Sequence, residues 1–247
     1  MLDAIVQSLL YSLAPVIGMV LGGLAAVWKP PGERVQSYIQ HFAAGLVFAA
    51  VGVEILPDVM ERGDPLAASL GFIVGVAAML AIRTLSRRAE SQSEDATDTT
   101  PWALVVAIGI GVFVDGMLIG VGFAAGETQG VLLAISMTGC TISLGLATAA
   151  ALMRSGSPRR RAAMLTSLVG LLPAIGAVVG AALAAQLSGA WMEGVISFTC
   201  AALLYLITEE LLVEAHEAQE RPETTVTTAV FFVGFLALLV TELLMRP

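Results

Sequence analysis

The sequence predicts an all-α integral membrane protein with eight transmembrane helices in a three, two, three arrangement. Three observations carry that prediction. Hydrophobic residues make up 57% of the 247-residue chain and charged residues only 13%, which is too apolar for a soluble domain that must cover its surface with polar groups. Apolar runs of about 18 to 25 residues, the length that crosses a bilayer, recur eight times and leave no room for a second domain, so residues 1–247 read as one transmembrane domain. Finally, the outer thirds of the chain repeat one another. Pro15-Val-Ile-Gly18-Met-Val20-Leu-Gly22 returns as Pro173-Ala-Ile-Gly176-Ala-Val178-Val-Gly180, Glu54-Ile-Leu-Pro-Asp58 as Glu210-Leu-Leu-Val-Glu214, and Phe72-Ile-Val-Gly75 as Phe231-Phe-Val-Gly234. Each copy lies five spans further on, an odd displacement, so the two triplets cross the bilayer in opposite directions as an inverted repeat.

The spans follow in order. The first, 4–28, is longer than the core of a secretory signal and belongs to the repeat, so it is expected to remain as a helix. The second, 36–58, ends in Glu54 and Asp58, and the third covers 66–85. Residues 86–100 are the longest hydrophilic piece, with Glu90, Glu94, Asp95 and Asp98 among serines and threonines. Such a stretch cannot bury enough apolar area to fold and reads as a flexible acidic cytoplasmic loop. The fourth span, 102–124, and the fifth, 129–153, form a hairpin between the two triplets. The sixth, seventh and eighth cover 163–187, 191–213 and 225–245. Gly18 with Gly22, Gly71 with Gly75, Gly116 with Gly120, Gly122 with Gly126 and Gly176 with Gly180 stand four apart and give small seams for close helix packing, which also permit a homodimer. Pro15 and Pro173 are expected to kink equivalent helices.

Cations orient the spans. Ten of the 12 Lys and Arg residues border odd loops, whereas Arg62 and Arg246 border even ones. Odd loops are therefore expected to be cytoplasmic, with both termini on the outer, periplasmic side of the plasma (cell inner) membrane. The net charge of -8 and the absence of a basic stripe exclude nucleic acid as a partner. Cys140 and Cys200 fall within spans, so a secreted-type disulfide framework is not expected.

Charge inside the bilayer points to function. A carboxylate at the centre of a spanning helix costs about 2.5 to 3.5 kcal/mol on insertion scales, so it normally faces a polar interior on an ion or proton route. Asp115 stands at the centre of the fourth span and is the leading candidate, with a protonated, purely structural Asp as the alternative. Thr138, Cys140, Thr141 and Ser143 on the fifth span share its depth in an antiparallel hairpin. Asp115 with Cys140 are the candidate metal ligands, completed by the hydroxyls of Thr141 and Ser143. The same hydroxyls could instead bond their own helix, and the thiol could be apolar filler. Glu54 and Asp58 form an acidic vestibule at one face. Glu209, Glu210 and Glu214, followed by His216 and Glu217, form another at the opposite face, where carboxylates concentrate cations or are simply solvated. No nucleophile and base pair or phosphate-cradling loop appears, so no enzyme activity is expected.

With eight helices, Phe42-Ala-Ala-Gly45 leading into Glu54-Ile-Leu-Pro57-Asp58, and Leu204-Tyr205-Leu-Ile-Thr-Glu209-Glu210-Leu-Leu-Val-Glu214-Ala-His216, the chain resembles the Zrt/Irt-like (ZIP) divalent-metal transporters along nearly its whole length. The resemblance implies passage of zinc, iron or manganese ions toward the cytoplasm, as substrate and not as a tightly bound cofactor, through a site between the fourth and fifth helices. It also implies departures. Where the family carries His-Asn-x-x-Asp/Glu-Gly, this chain has Gly111 and Val112 ahead of Asp115-Gly116. Cys140, Thr141 and Leu144 fall at ligand positions of the fifth helix, the sixth has no acid, and the usual histidine-rich third loop is acidic. The expected function is a ZIP-like carrier with a reduced central site around Asp115. The alternatives are a proton-coupled or small-solute carrier on that scaffold and a non-conducting regulatory relative. The orientation is tested by placing single cysteines through Ser91→Cys and Thr128→Cys. An impermeant thiol reagent added outside should label position 128 and leave position 91 untouched, and the reverse pattern would invert the topology.

Overall fold

The computed structural model describes residues 2–30, 32–94, 102–213 and 225–245. Every regular element among them is helical. The helices are α1 (Leu2–Trp28), α2 (Glu33–Ala50), α3 (Leu56–Arg62), α4 (Pro65–Glu94), α5 (Trp102–Ala125), α6 (Glu127–Arg154), α7 (Arg159–Val169), α8 (Leu172–Ala184), α9 (Ala190–Tyr205) and α10 (Thr225–Met245). Eight helical segments are long and apolar enough to cross a membrane. The second joins α2 to α3 and the seventh extends α9, each through a short π-helical turn, the sixth joins α7 to α8, and the other five each draw on one helix. The chain is therefore a multi-pass membrane protein.

Three details differ from what composition suggests. The helix of the third span continues to Glu94, into the segment read as a flexible loop, where Ala89, Gln92 and Glu94 are good helix formers; the rest of that segment lies outside the described residues. Pro15 sits inside an uninterrupted helix, whereas the sixth span breaks at Gly170 and Leu171, just ahead of Pro173. Most unexpected are two wide, π-helical turns, Val51–Ile55 in the second span and Leu206–Leu211 in the seventh. Each has a local cause. Pro57 follows the first and its ring crowds the carbonyl of Val53, four residues earlier. In the second, the Thr208 hydroxyl donates to the Leu204 carbonyl at 2.9 Å and reaches that of Tyr205 at 3.5 Å, competing with the backbone for those acceptors. The two turns carry Glu54 and Glu209 with Glu210 respectively.

Glycine decides which spans touch. The first span lies along the fifth, with Gly18 and Gly22 against the backbone of Thr138, Ile142 and Leu146. The sixth lies along the fourth in the same way, with Gly176 and Gly180 against Phe113 and Met117. The second packs on the eighth through Gly45 and Gly234, and the third on the seventh through Gly71 and Gly75. Apart from Gly122 and Gly126, which touch Leu133 and Gln129 in the hairpin, the predicted seams close on other spans of the same chain. The four pairings are unchanged when first and sixth, second and seventh, third and eighth, and fourth and fifth spans exchange places.

Two groups result, the first, fourth, fifth and sixth spans on one side and the second, third, seventh and eighth on the other. They meet chiefly where the second span crosses the fifth and the third crosses the fourth. At the first crossing the Ser136 hydroxyl donates to its own helix at Leu132 O and reaches Leu46 O of the second span at 3.3 Å.

Packing this close makes a sharp prediction. A Cβ on Gly116 would stand 2.7 Å from Pro173 Cα, on backbone that cannot swing aside, whereas one on Gly111 meets nothing within 4 Å. Gly116→Ala should lower stability by about 1 to 3 kcal/mol, read as a lower melting temperature of the purified protein, and Gly111→Ala should melt at or above the wild type. Equal behaviour of the two variants would contradict the seam.

Candidate cation site

Asp115 is held on α5 between the turns that carry Val112 and Leu118, both buried, and is itself only 8% exposed. A carboxylate there is far from bulk water in a span 21 residues long. The charge it meets comes from the seventh span: Asp115 lies close enough to Glu210 for their charges to interact. Adjacent residues on a helix do not share a face, and the π-helical turn separates Glu210 from Glu209 accordingly. Glu209 takes the Arg83 guanidinium of the third span as its ion-pair partner. Arg83 also donates to the Tyr205 hydroxyl at 3.4 Å.

Cys140 and Asp115 occupy corresponding positions. The same atoms meet on both sides of the exchange: Gly18 faces the Thr138 carbonyl as Gly176 faces that of Phe113, and Gly22 faces the Ile142 carbonyl as Gly180 faces that of Met117. Counting two residues on from Phe113 and from Thr138 reaches Asp115 and Cys140. Cys140 is a buried thiol outside any disulfide, within the main apolar cluster. Thr141 and Ser143 are buried as well. Thr141 Oγ1 donates to Thr138 O at 3.2 Å and lies against Gly18 of the first span, while Thr138 Oγ1 donates to Ala134 O at 2.7 Å. Both threonine hydroxyls thus serve their own helix. Among the described residues, no three of His, Cys, Asp and Glu converge as a set that could hold a metal ion.

The vestibule at the end of the second span is a cavity of about 240 Å³. Glu54, Asp58 and Glu61 line it from the second span, Thr128 and Gln129 from the start of the fifth, and Glu242 from the eighth. Asp58 Oδ1 accepts from Arg62 Nε at 2.9 Å, an exposed pair one helical turn apart, while Asp58 Oδ2 is buried with no hydrogen-bond partner. On the same face, the backbone N–H of Asp64 donates to the buried Glu193 carboxylate at 2.8 Å, tying the loop after the second span to the start of the seventh. At the other mouth Glu209 and Glu210 are described, and Glu214, His216 and Glu217 lie outside the described residues. His41 is buried, its Nδ1 2.9 Å from the Ser37 carbonyl, which can only accept, so Nδ1 carries the proton.

Sequence reasoning missed Glu242, Glu61, Arg83 and Glu193. For Glu242 a signal was available. Gly75 and Gly234 are repeat partners, and eight residues beyond them stand Arg83 and Glu242. Glu193 carried no signal, because its role is a tertiary contact with Asp64.

The fold and these buried acids define a multi-pass helical membrane protein with ionisable groups enclosed between its spans. Comparison with known proteins supplies the family. Residues 85–242 match the model of the ZIP zinc transporter family, well over half of the chain, and the chain belongs to that family. It is similar to a protein of Myxococcus xanthus named zinc transporter GufA, with 34% identity over 123 residues that cover 49% of this chain and 48% of the relative. The match thus spans about half the length of that curated relative.

Proposed function

We propose that the protein carries divalent metal cations, of the zinc, iron or manganese class, across the plasma membrane toward the cytoplasm by alternating access, with Asp115 at the centre of the route. One observation carries the reading: Asp115 is buried at the centre of a spanning helix, with Glu210 of the other group of spans near enough for their charges to interact. Two carboxylates within interaction distance in a low-dielectric interior repel strongly when both are ionised, so the pair takes up a proton or a cation. In an integral membrane protein, such a pair belongs to an ion route by default. Family membership and the name of the Myxococcus relative point to zinc as the first cation to test.

The path runs from the cavity beside Glu54, Asp58 and Glu242, past Asp115 with Cys140 at the equivalent position, to Glu210 and Glu209. With Asp115 and Glu210 as the charged donors, a dication there keeps part of its water shell or takes backbone oxygens, as hard cations do. The exchange symmetry of the packing supports two inverted triplets around a central pair, with the cytoplasmic mouth at the arginine-rich odd loops. The small number of donors favours one further reading, a proton carrier in which the carboxyl pair passes a proton.

Zinc uptake into vesicles reconstituted with the purified chain tests both. Asp115→Asn keeps the shape and removes the charge, and a change of about 1.4 kcal/mol is already tenfold in an equilibrium constant, so zinc influx should fall at least about tenfold. Loss of proton flux alone, with no zinc flux in the wild type, would select the second reading. Undiminished zinc influx in Asp115→Asn would contradict the first.

A further inference from the structure

The two mouths are built from equivalent parts with one charge reversed. On the third and seventh spans, Gly75 packs against Phe198 and Ala201; on the eighth and second spans, Gly234 packs against Phe42, and Gly45 against Phe231. Phe42 and Gly45 correspond to Phe198 and Ala201 under the spacing that relates Glu54 to Glu210. The repeat is therefore in register in the packing as well as in the sequence. Followed outward from these contacts, each pair reaches a mouth. Arg83 stands eight residues after Gly75 and pairs with Glu209. Glu242 stands eight residues after Gly234 and lines the cavity with Glu54, Asp58 and Glu61. The position of Glu209 is taken in the second span by Val53, which also lines that cavity.

We propose that Arg83 is a tethered counter-cation. It occupies the Glu209 carboxylate at the mouth of the third and seventh spans, while Glu242 keeps the equivalent mouth acidic, so the first mouth releases the dication that the second captures. The charges support this. Among the described residues, Glu54, Asp58, Glu61 and Glu242 line the cavity, and Arg62, on the exposed rim, holds a single Asp58 oxygen. A compact acidic mouth of that kind raises the local cation concentration. At the other mouth the guanidinium is half-buried, fixed by Tyr205 as well as Glu209. An incoming dication gains Glu209 only by displacing a cation that cannot diffuse away, and a dication leaving Glu210 finds Glu209 already neutralised. Arg83 is a positioning and specificity residue that acts through Glu209. This role rests on the cation-carrier reading.

Zn²⁺ binding to the full chain in detergent, measured by titration calorimetry, reads the role directly. Arg83→Gln frees Glu209 and should bind Zn²⁺ at least about tenfold more tightly or take up one more ion, since the unit positive charge beside the carboxylate is gone. Adding Glu209→Gln should abolish the gain, and Arg83→Lys should return binding to the wild-type value. In vesicles, Arg83→Gln should lower the maximal rate by slowing release while leaving the KM at the opposite mouth in place. An ion pair that only braced the fold would lower the melting temperature of Arg83→Gln without moving Zn²⁺ binding. That result, or a gain that survives Glu209→Gln, overturns the proposal. If Arg83→Gln does not fold, the exchanged pair Arg83→Glu with Glu209→Arg decides: wild-type Zn²⁺ binding supports the role, and tighter binding refutes it. A wild type that binds Zn²⁺ but moves none across vesicles sinks the carrier reading and leaves the binding comparison intact.

Discussion

A carboxyl enclosed between two groups of helices in a bilayer has to take up a proton or be accompanied by a cation, and the proposed route depends on where Asp115 and Glu210 are held. The fourth span cannot tilt freely to relieve their repulsion. Gly116 and Gly120 lock it onto the backbone of Pro173 and Ala177 in the sixth span. The seventh is equally constrained by the third, where Gly71 meets the backbone of Gly194. Without a hydrophobic driving force between helices in lipid, such close backbone contacts are what hold spans together. The frame is therefore rigid, and any repulsion between the two acids is relieved by a proton or a cation and not by movement of the spans.

The wide turns explain how one short segment serves two purposes. Glu209 and Glu210 are neighbours, yet one pairs with Arg83 on the third span while the charge of the other is felt at Asp115 on the fourth. The i+5 hydrogen-bonding of a π-helical turn widens the helix and shifts its register, and turns of this kind are frequent at functional sites. The second span repeats the device at Val51–Ile55, placing Glu54 in the cavity with Glu242. The two ends thus share a π-helical turn and glycine seams and differ in charge at Arg83 and Glu242.

Much of the fold was legible in the sequence, because span length and the Pro-x-x-Gly repeat are local signals that lipid enforces strictly. The eight runs fall within a few residues of the eight observed spans, and the glycine pairs mark the actual seams at Gly18, Gly75, Gly116 and Gly176. The site was less legible. Asp115 stands out by its cost, but its neighbour Glu210 reads as a helix-end acid until the π-helical turn is seen, and nothing in Thr208 or Pro57 alone announces that turn. Arg83 was counted among flanking cations that set orientation, which hides its pairing with Glu209. Thr141 matched a ligand position, yet its hydroxyl serves its own helix and faces the first span. Spacing along one helix gives depth in the membrane; it does not say which neighbour a side chain meets.

The most direct test of the account is a double-mutant cycle on Zn²⁺ affinity with Asp115→Asn, Glu210→Gln and the two combined. If one cation lies between these carboxylates, each single change weakens binding, and the pair combined is no weaker than the more damaged single variant to within about twofold, the usual error of such cycles. Losses that multiply would mean that the two acids serve separate sites and that no shared cation bridges the fourth and seventh spans.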